Sequence, residues 1–274
     1  MPSRSTAKKV DPAAGDPPDI SALGWLRLTA RVLMMLVAAL IAVPLHYLWR
    51  LFRLPSPWPR LFLGLTARIC GARVHRRGVP LRRDVFYISN HISWIDILAI
   101  AGTSGSAFVA KAEIRAAPVV GWLSTLNRTV FVSREDRLGV AEQINLLRAA
   151  MAENWSITVF PEGTTTDGHS LKPFKTPMLK VLEPPPPGVY VQPVMLDYGP
   201  VAEEISWIGV ESGKNNAIRL LARKGSFPMA VTFLDPFDPH DFPGRKKIAA
   251  ESRVRIEAAL VETLGKPLRE FTAH

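Results

Sequence analysis

A single cysteine, Cys70, stands in 274 residues, so no intrachain disulfide can form and a metal site built from cysteines is excluded. Acidic residues are missing where bases are densest: residues 50–83 carry nine arginines and neither Asp nor Glu. A surface built from that run cannot neutralise itself and fits an anionic partner, either nucleic acid or an anionic membrane. A signal peptide is not evident either, since the first apolar stretch is longer than such a core and lacks a small-residue cleavage site. Internal repeats are absent.

What is present is an apolar, basic chain, with 47% hydrophobic residues and a formal net charge of +10. The excess does not come from residues 1–24, where Arg4, Lys8 and Lys9 balance Asp11, Asp16 and Asp19. That segment has little to bury and reads as a flexible tail. Residues 32–49 are apolar except for His46, with Arg27 and Arg31 before them and Arg50 and Arg53 after. As a helix they would be about 27 Å long, close to the thickness of a bilayer core. Pro44 would kink that helix, so a span, a re-entrant element and a surface-embedded one all fit, with a buried core helix as the alternative. Residues 58–70 suit a helix lying in the membrane interface, or an ordinary amphipathic helix packed on the domain.

From residue 84 onward, short apolar runs alternate with helical stretches. The strands expected are 85–89, 107–111, 129–133, 157–160, 189–196 and 229–234; the helices are 136–153, 177–183 and 246–264, the last with Ile256, Leu260 and Leu264 at spacing of four. This predicts an α/β fold, a central mixed β-sheet flanked by helices, behind an N-terminal membrane-embedded helical segment. The division is tail 1–24, membrane-associated helices 25–70 and α/β domain 71–274. Ligands are expected at the carboxyl ends of the strands.

Two stretches carry chemistry. In Ser89–Ile97, His91 and Asp96 are five apart and would diverge by about 140° inside one helix. They can meet if His91 precedes the helix and Asp96 lies in its first turn. Ser93 and Asp96 also read as a capping box, which would make His91 incidental. Alternatively, His91 takes a proton from a substrate hydroxyl while Asp96 orients it and stabilises the imidazolium. The second stretch, residues 159–168, leaves a strand with Gly163 and Gly168 as turn formers and threonines able to grip an anion. Glu162 needs a partner of its own.

N-H-x-x-x-x-D after a strand, with F-P-E-G-T about 70 residues later, resembles the glycerolipid acyltransferase family, which includes 1-acylglycerol-3-phosphate acyltransferases. Residues 129–136 resemble the family block whose arginine, here Arg134, contacts the acceptor head group. Residues 108–113 resemble a block with a lysine near the site, here Lys111. Residues 191–196 resemble the block with a proline in an apolar strand, here Pro193. The resemblance spans residues 25–200, with the blocks in family order.

It implies direct acyl transfer from an acyl-carrier-protein or coenzyme A thioester to a lysolipid hydroxyl, with no metal and no other cofactor. His91 would be the base and Asp96 its orienting partner. Lys111, Arg134, Glu162, Gly163, Thr164 and Thr165 would bind substrate, and backbone donors of the Asn90–His91 or Gly163–Thr164 turns would stabilise the oxyanion. The membrane would be the inner one, with the site on its cytoplasmic face by the positive-inside rule. Family members acting on lysophosphatidate usually carry arginine after E-G-T, where this chain has Thr165. That pattern resembles members acting on lyso-ornithine lipid. Lys111, Arg134, Lys172 and Lys175 could replace the missing charge, so lysophosphatidate is the first expectation and lyso-ornithine lipid, or another lysolipid, the alternative. The rivals from other classes are a basic nucleic-acid-binding protein and a non-catalytic membrane scaffold.

Overall fold

The computed structural model describes residues 18–111, 115, 118–132, 140–153, 156–209 and 211–271. The expected tail lies outside the described residues as far as residue 17, and helix begins before that tail was expected to end. The first helix, α1 (Ala22–Leu51), is capped by the Ser21 hydroxyl, which accepts from the Gly24 N–H at 3.2 Å, and runs on through Pro44. Gly24, Ala38 and Ala42 face the protein, while Leu33, Leu36, Leu40, Ile41, Leu48 and Leu51 are exposed. By length and composition α1 could cross a membrane, and only 11% of its most apolar stretch is buried, unlike the core helix expected as the alternative. The second helix, α2 (Trp58–Ile69), packs against α1 and against α3 (Ile95–Ser104). Gly64 and Gly102 make the second contact possible: a Cβ on Gly102 would sit 2.5 Å from the Gly64 Cα.

The sheet has seven strands among the described residues: β1 (Ala72–Arg77), β2 (Val85–Ser89), β3 (Ala107–Lys111), β4 (Val130–Val132), β5 (Ile157–Val159), β6 (Tyr190–Asp197) and β7 (Phe227–Phe233). Their order is β1-β7-β6-β2-β5-β3-β4. β6, β2, β5, β3 and β4 run parallel, whereas β7 is antiparallel to β6 and β1 parallel to β7, so the sheet is mixed, as expected. Phe86, Tyr87 and Ile88 on central β2 are completely buried, as in a strand covered on both faces. Each such side chain contributes roughly 1.5–3 kcal/mol.

Further α-helices among the described residues are α4 (Pro118–Leu126), α5 (Val140–Ala152), α6 (Ala202–Ile205), α7 (Gly213–Ala222) and α8 (Arg245–Leu264). Ile248, Ser252, Ile256 and Leu260 form the buried face of α8. The helix expected over 177–183 is present over 177–182, as a 3₁₀ helix. The start of α1 is fastened to the end of α7. Arg27 Nε donates to the Ala222 carbonyl at 2.8 Å, and Arg31 donates to the carbonyls of Leu220, Leu221 and Gly225 at 3.0, 2.9 and 3.1 Å. Guanidinium groups at that end satisfy orphan carbonyls and complement the helix dipole. Cys70 is buried, and burial pushes its thiol up to about 12.

Candidate active site

Three neighbouring parallel strands, β6, β2 and β5, end at one edge of the sheet and deliver Tyr198, His91 and Phe160 to one place. The turn after β2 is built first. Asn90 bonds back to β6, accepting from the Leu196 N–H at 2.8 Å and donating to the Leu196 carbonyl at 3.0 Å. His91 follows in the turn, and Asp96 lies in the first turn of α3. The arrangement expected from their spacing is the one found. His91 Nδ1 and Asp96 Oδ2 are 2.8 Å apart, with the histidine side chain 17% exposed and the aspartate fully buried.

Asp96 is saturated with donors. Its Oδ2 also accepts from the backbone N–H groups of Ile92 (2.7 Å) and Ser93 (2.9 Å), and its Oδ1 accepts from the Tyr198 hydroxyl at 2.6 Å. An acceptor holding this many donors is a carboxylate, which assigns the proton of the histidine contact to Nδ1 and makes Nε2 the nitrogen with the lone pair. The capping and catalytic readings therefore coincide: the oxygen that caps the turn also orients the histidine. The serine half of the expected box does not form, because the Asp96 N–H bonds to the Ser93 carbonyl at 3.0 Å rather than to its hydroxyl. The Phe160 ring stacks on His91, centroids 4.0 Å apart and planes 16° from parallel, and fixes its tilt. Burial, followed by the charge of Asp96, raises the Tyr198 hydroxyl well above the usual range and keeps it a donor.

Glu162 ties the second motif to the first. Its oxygens accept from the His91 N–H and the Lys172 N–H, both at 2.9 Å, with the side chain 1% exposed. Burial pushes its carboxyl up to about 7, against the pull of those two donors. Thr166 closes the other side: its N–H donates to the His91 carbonyl at 2.8 Å and its hydroxyl to the same oxygen at 3.2 Å. Gly163 turns at φ +74°, and the Lys175 amine lies over it, 3.0 Å from where a Cβ would stand. Thr164 is exposed beside that turn.

Thr165 is held by the protein itself. It is buried, and its hydroxyl donates to the Trp207 carbonyl, an acceptor that needs a donor once it is out of water. The donors expected for the oxyanion in the Asn90–His91 turn are occupied as well, since the N–H groups of His91, Ile92 and Ser93 all serve Glu162 or Asp96. The Gly163 N–H is bonded to the Phe160 carbonyl at 3.1 Å. Lys111 closes β3 at the same sheet edge, and Arg134 lies outside the described residues. Tyr198, Phe160 and Thr166 escape a sequence reading because they reach the site from separate strands and loops. The signal that existed for Tyr198 was its place directly after an apolar parallel strand.

A family model described as Acyltransferase matches residues 72–197, from β1 through β6. A lyso-ornithine lipid O-acyltransferase from Rhodobacter capsulatus is 30% identical, over 91% of this chain and 95% of its own length. A 1-acyl-sn-glycerol-3-phosphate acyltransferase from Neisseria gonorrhoeae is 31% identical, over 42% of this chain and 46% of its own. The crystal structure of the 1-acyl-sn-glycerophosphate acyltransferase from Thermotoga maritima superimposes with a TM-score of 0.60 at 22% identity, covering 89% of this chain and all of that one; at that identity it shows the fold.

Proposed function

The chain belongs to the acyltransferase family, and we propose that it moves a long-chain acyl group from a thioester to the hydroxyl of a lysolipid at a membrane surface. One observation carries this: a histidine at the carboxyl edge of the sheet whose Nδ1 is held by a buried carboxylate and whose Nε2 has no hydrogen-bond partner among the described residues. His91 Nε2 takes the proton of the acceptor hydroxyl as that oxygen attacks the thioester carbonyl. The tetrahedral intermediate expels the thiolate, which recovers the proton from the imidazolium. General-base help of this kind is worth typically about 10²–10⁴-fold. Asp96 holds the tautomer, Tyr198 holds Asp96, and Glu162 and Thr166 hold the His91 backbone. With the N–H groups of His91, Ile92, Ser93 and Gly163 engaged, the Lys175 amine above Gly163 supports a reading in which a cation meets the developing oxyanion or an anionic group of the substrate. The donor thioester, on acyl carrier protein or coenzyme A, arrives from the cytoplasm, and α1 with its exposed apolar face keeps the domain on the inner membrane. A nucleic-acid binder or a scaffold would leave the His91–Asp96 pair without a task.

Of the two acceptors expected, lyso-ornithine lipid has the stronger support. The Rhodobacter relative named for it matches nearly the whole chain, the Neisseria relative named for lysophosphatidate under half, and E-G-T is followed by Thr165 rather than arginine. Lysophosphatidate is the second reading, favoured by Lys172 and Lys175 beside the motif. Membranes holding the protein, given a labelled acyl thioester and both lysolipids, decide between them. Faster acylation of lyso-ornithine lipid supports the first reading, faster acylation of lysophosphatidate the second, and labelling of neither overturns both.

A further inference from the structure

The turn between β1 and β2 reads Arg76-Arg77-Gly78-Val79-Pro80-Leu81-Arg82-Arg83. All four arginines are exposed, and none joins the ion pairs found among the described residues. Between them stands Val79, 77% exposed, the most exposed of the large hydrophobic side chains described.

The turn is rigidly held. Gln192 on β6, itself buried, donates to the carbonyls of Val79 (3.0 Å) and Leu234 (2.9 Å) and accepts from the Leu81 N–H at 3.0 Å. The Tyr87 hydroxyl donates to the Leu81 carbonyl, and Gly78 lies so close to Phe233 that a Cβ would stand 2.1 Å from its carbonyl oxygen. A buried amide network thus presents an apolar side chain to solvent inside a ring of unpaired cations. The same charge field reaches α2, where Arg76 and Arg82 act on Arg60, and α2 exposes Leu61 and Leu65. The start of α2 lies beside the end of α3, Arg60 Nε donating to the Gly102 carbonyl at 3.2 Å, while its far end leads into β1. Because β1 runs opposite to β2, the arginine turn and the catalytic pair sit at opposite ends of α2.

We propose that the β1–β2 turn is a second membrane contact, which seats Val79 among acyl chains and the four arginines on anionic head groups. Contact there keeps α2 flat on the bilayer, so the catalytic end stays at the surface where a lysolipid lies. An acidic carrier protein would satisfy the arginines but offers nothing to an exposed valine, whereas an anionic bilayer satisfies both. The proposal rests on the reading of α1 as membrane-associated.

The test uses the full chain with Val79→Cys labelled by an environment-sensitive fluorophore. Cys70 is fully buried with its thiol raised, so the label goes to residue 79. Phosphatidylcholine vesicles with and without phosphatidylglycerol are compared, and flotation is measured on the same samples. The proposal expects flotation with a blue shift that is larger when phosphatidylglycerol is present. It also expects about tenfold or greater weakening of binding to the anionic vesicles in the unlabelled variant Arg76→Gln/Arg77→Gln/Arg82→Gln/Arg83→Gln. Protein that floats while the label stays in water, or a blue shift caused by acyl carrier protein alone, overturns the proposal and leaves the membrane reading of α1 standing. Failure to float at all overturns both.

Discussion

Tyr198 donates its hydroxyl to Asp96 Oδ1 at 2.6 Å, opposite the oxygen that holds His91, and so joins the end of β6 to the end of β2 through one buried carboxylate. The tyrosine touches no reacting atom and is a positioning residue. Tyr198→Phe removes the donor and leaves a buried carboxylate oxygen short of a partner, a loss of about 1–3 kcal/mol. Less of the Asp96 charge is then neutralised, so the imidazolium is favoured. The acid limb of the kcat/KM profile should move to higher pH, with kcat lowered and KM for the acceptor little changed. Thermal unfolding with a pH–rate profile checks it; lower stability with an unmoved acid limb would assign Tyr198 to packing alone.

Asp96→Asn tests the carboxylate itself. The amide presents N–H where His91 Nδ1–H, the Ile92 N–H and the Ser93 N–H or the Tyr198 hydroxyl need an acceptor. The imidazole is left in the wrong tautomer, and analogous replacements in hydrolases cost about 10⁴-fold in kcat. The expected result is loss of rate far beyond the fraction unfolded, measured by circular dichroism beside the assay. A folded variant with full activity would reduce Asp96 to a helix cap.

Glu162 predicts a pH dependence of stability. Its carboxyl ionises near 7 when folded against 4.5 ordinarily, so the folded state holds a proton that the unfolded chain gives up. The resulting contribution, roughly 3 kcal/mol, is complete below the ordinary value and is lost as pH rises through about 7. Glu162→Gln does not titrate. Denaturant unfolding should therefore show wild-type stability, relative to the variant, declining between about pH 5 and about pH 8. A constant difference would contradict the raised value.

Thr165→Val leaves the Trp207 carbonyl without its donor and should lower stability by about 1–3 kcal/mol while leaving the ratio of lyso-ornithine lipid to lysophosphatidate acylation unchanged. A changed ratio would place residue 165 on the head group after all. Urea denaturation and a two-acceptor assay measure the two effects separately.

The strands that deliver the site could be read directly, because residues 85–89 and 107–111 are apolar runs whose observed limits match the expected ones. α8 was legible from Ile256 and Leu260, both wholly buried. β1 was not: its arginines and histidine give no apolar alternation, since an edge strand with exposed side chains is selected for solubility rather than burial. α7 is hard to read from the sequence because its first turn is polar, although Ser212, which caps it by accepting from the Asn215 N–H at 3.2 Å, marks its start. The His91–Asp96 pair was readable because both partners lie within one turn of chain. The supports of that motif were less legible: Glu162 stood out in the sequence but its bond to the His91 N–H, 71 residues away, did not, and Thr166 and Tyr198 reach the pair from 75 and 102 residues away.

The most direct test of His91 as the base is His91→Ala in the full chain, assayed with a labelled acyl thioester and the better lysolipid acceptor. Losing the ring removes its stack on Phe160 and one donor to Asp96, a cost of about 1–3 kcal/mol, and the variant should still fold and float with membranes, which circular dichroism and flotation check. We predict a fall of at least about 10²-fold in acyl transfer, with thioester and acceptor binding retained. Transfer by a folded, membrane-bound His91→Ala protein at near the wild-type rate would contradict the account.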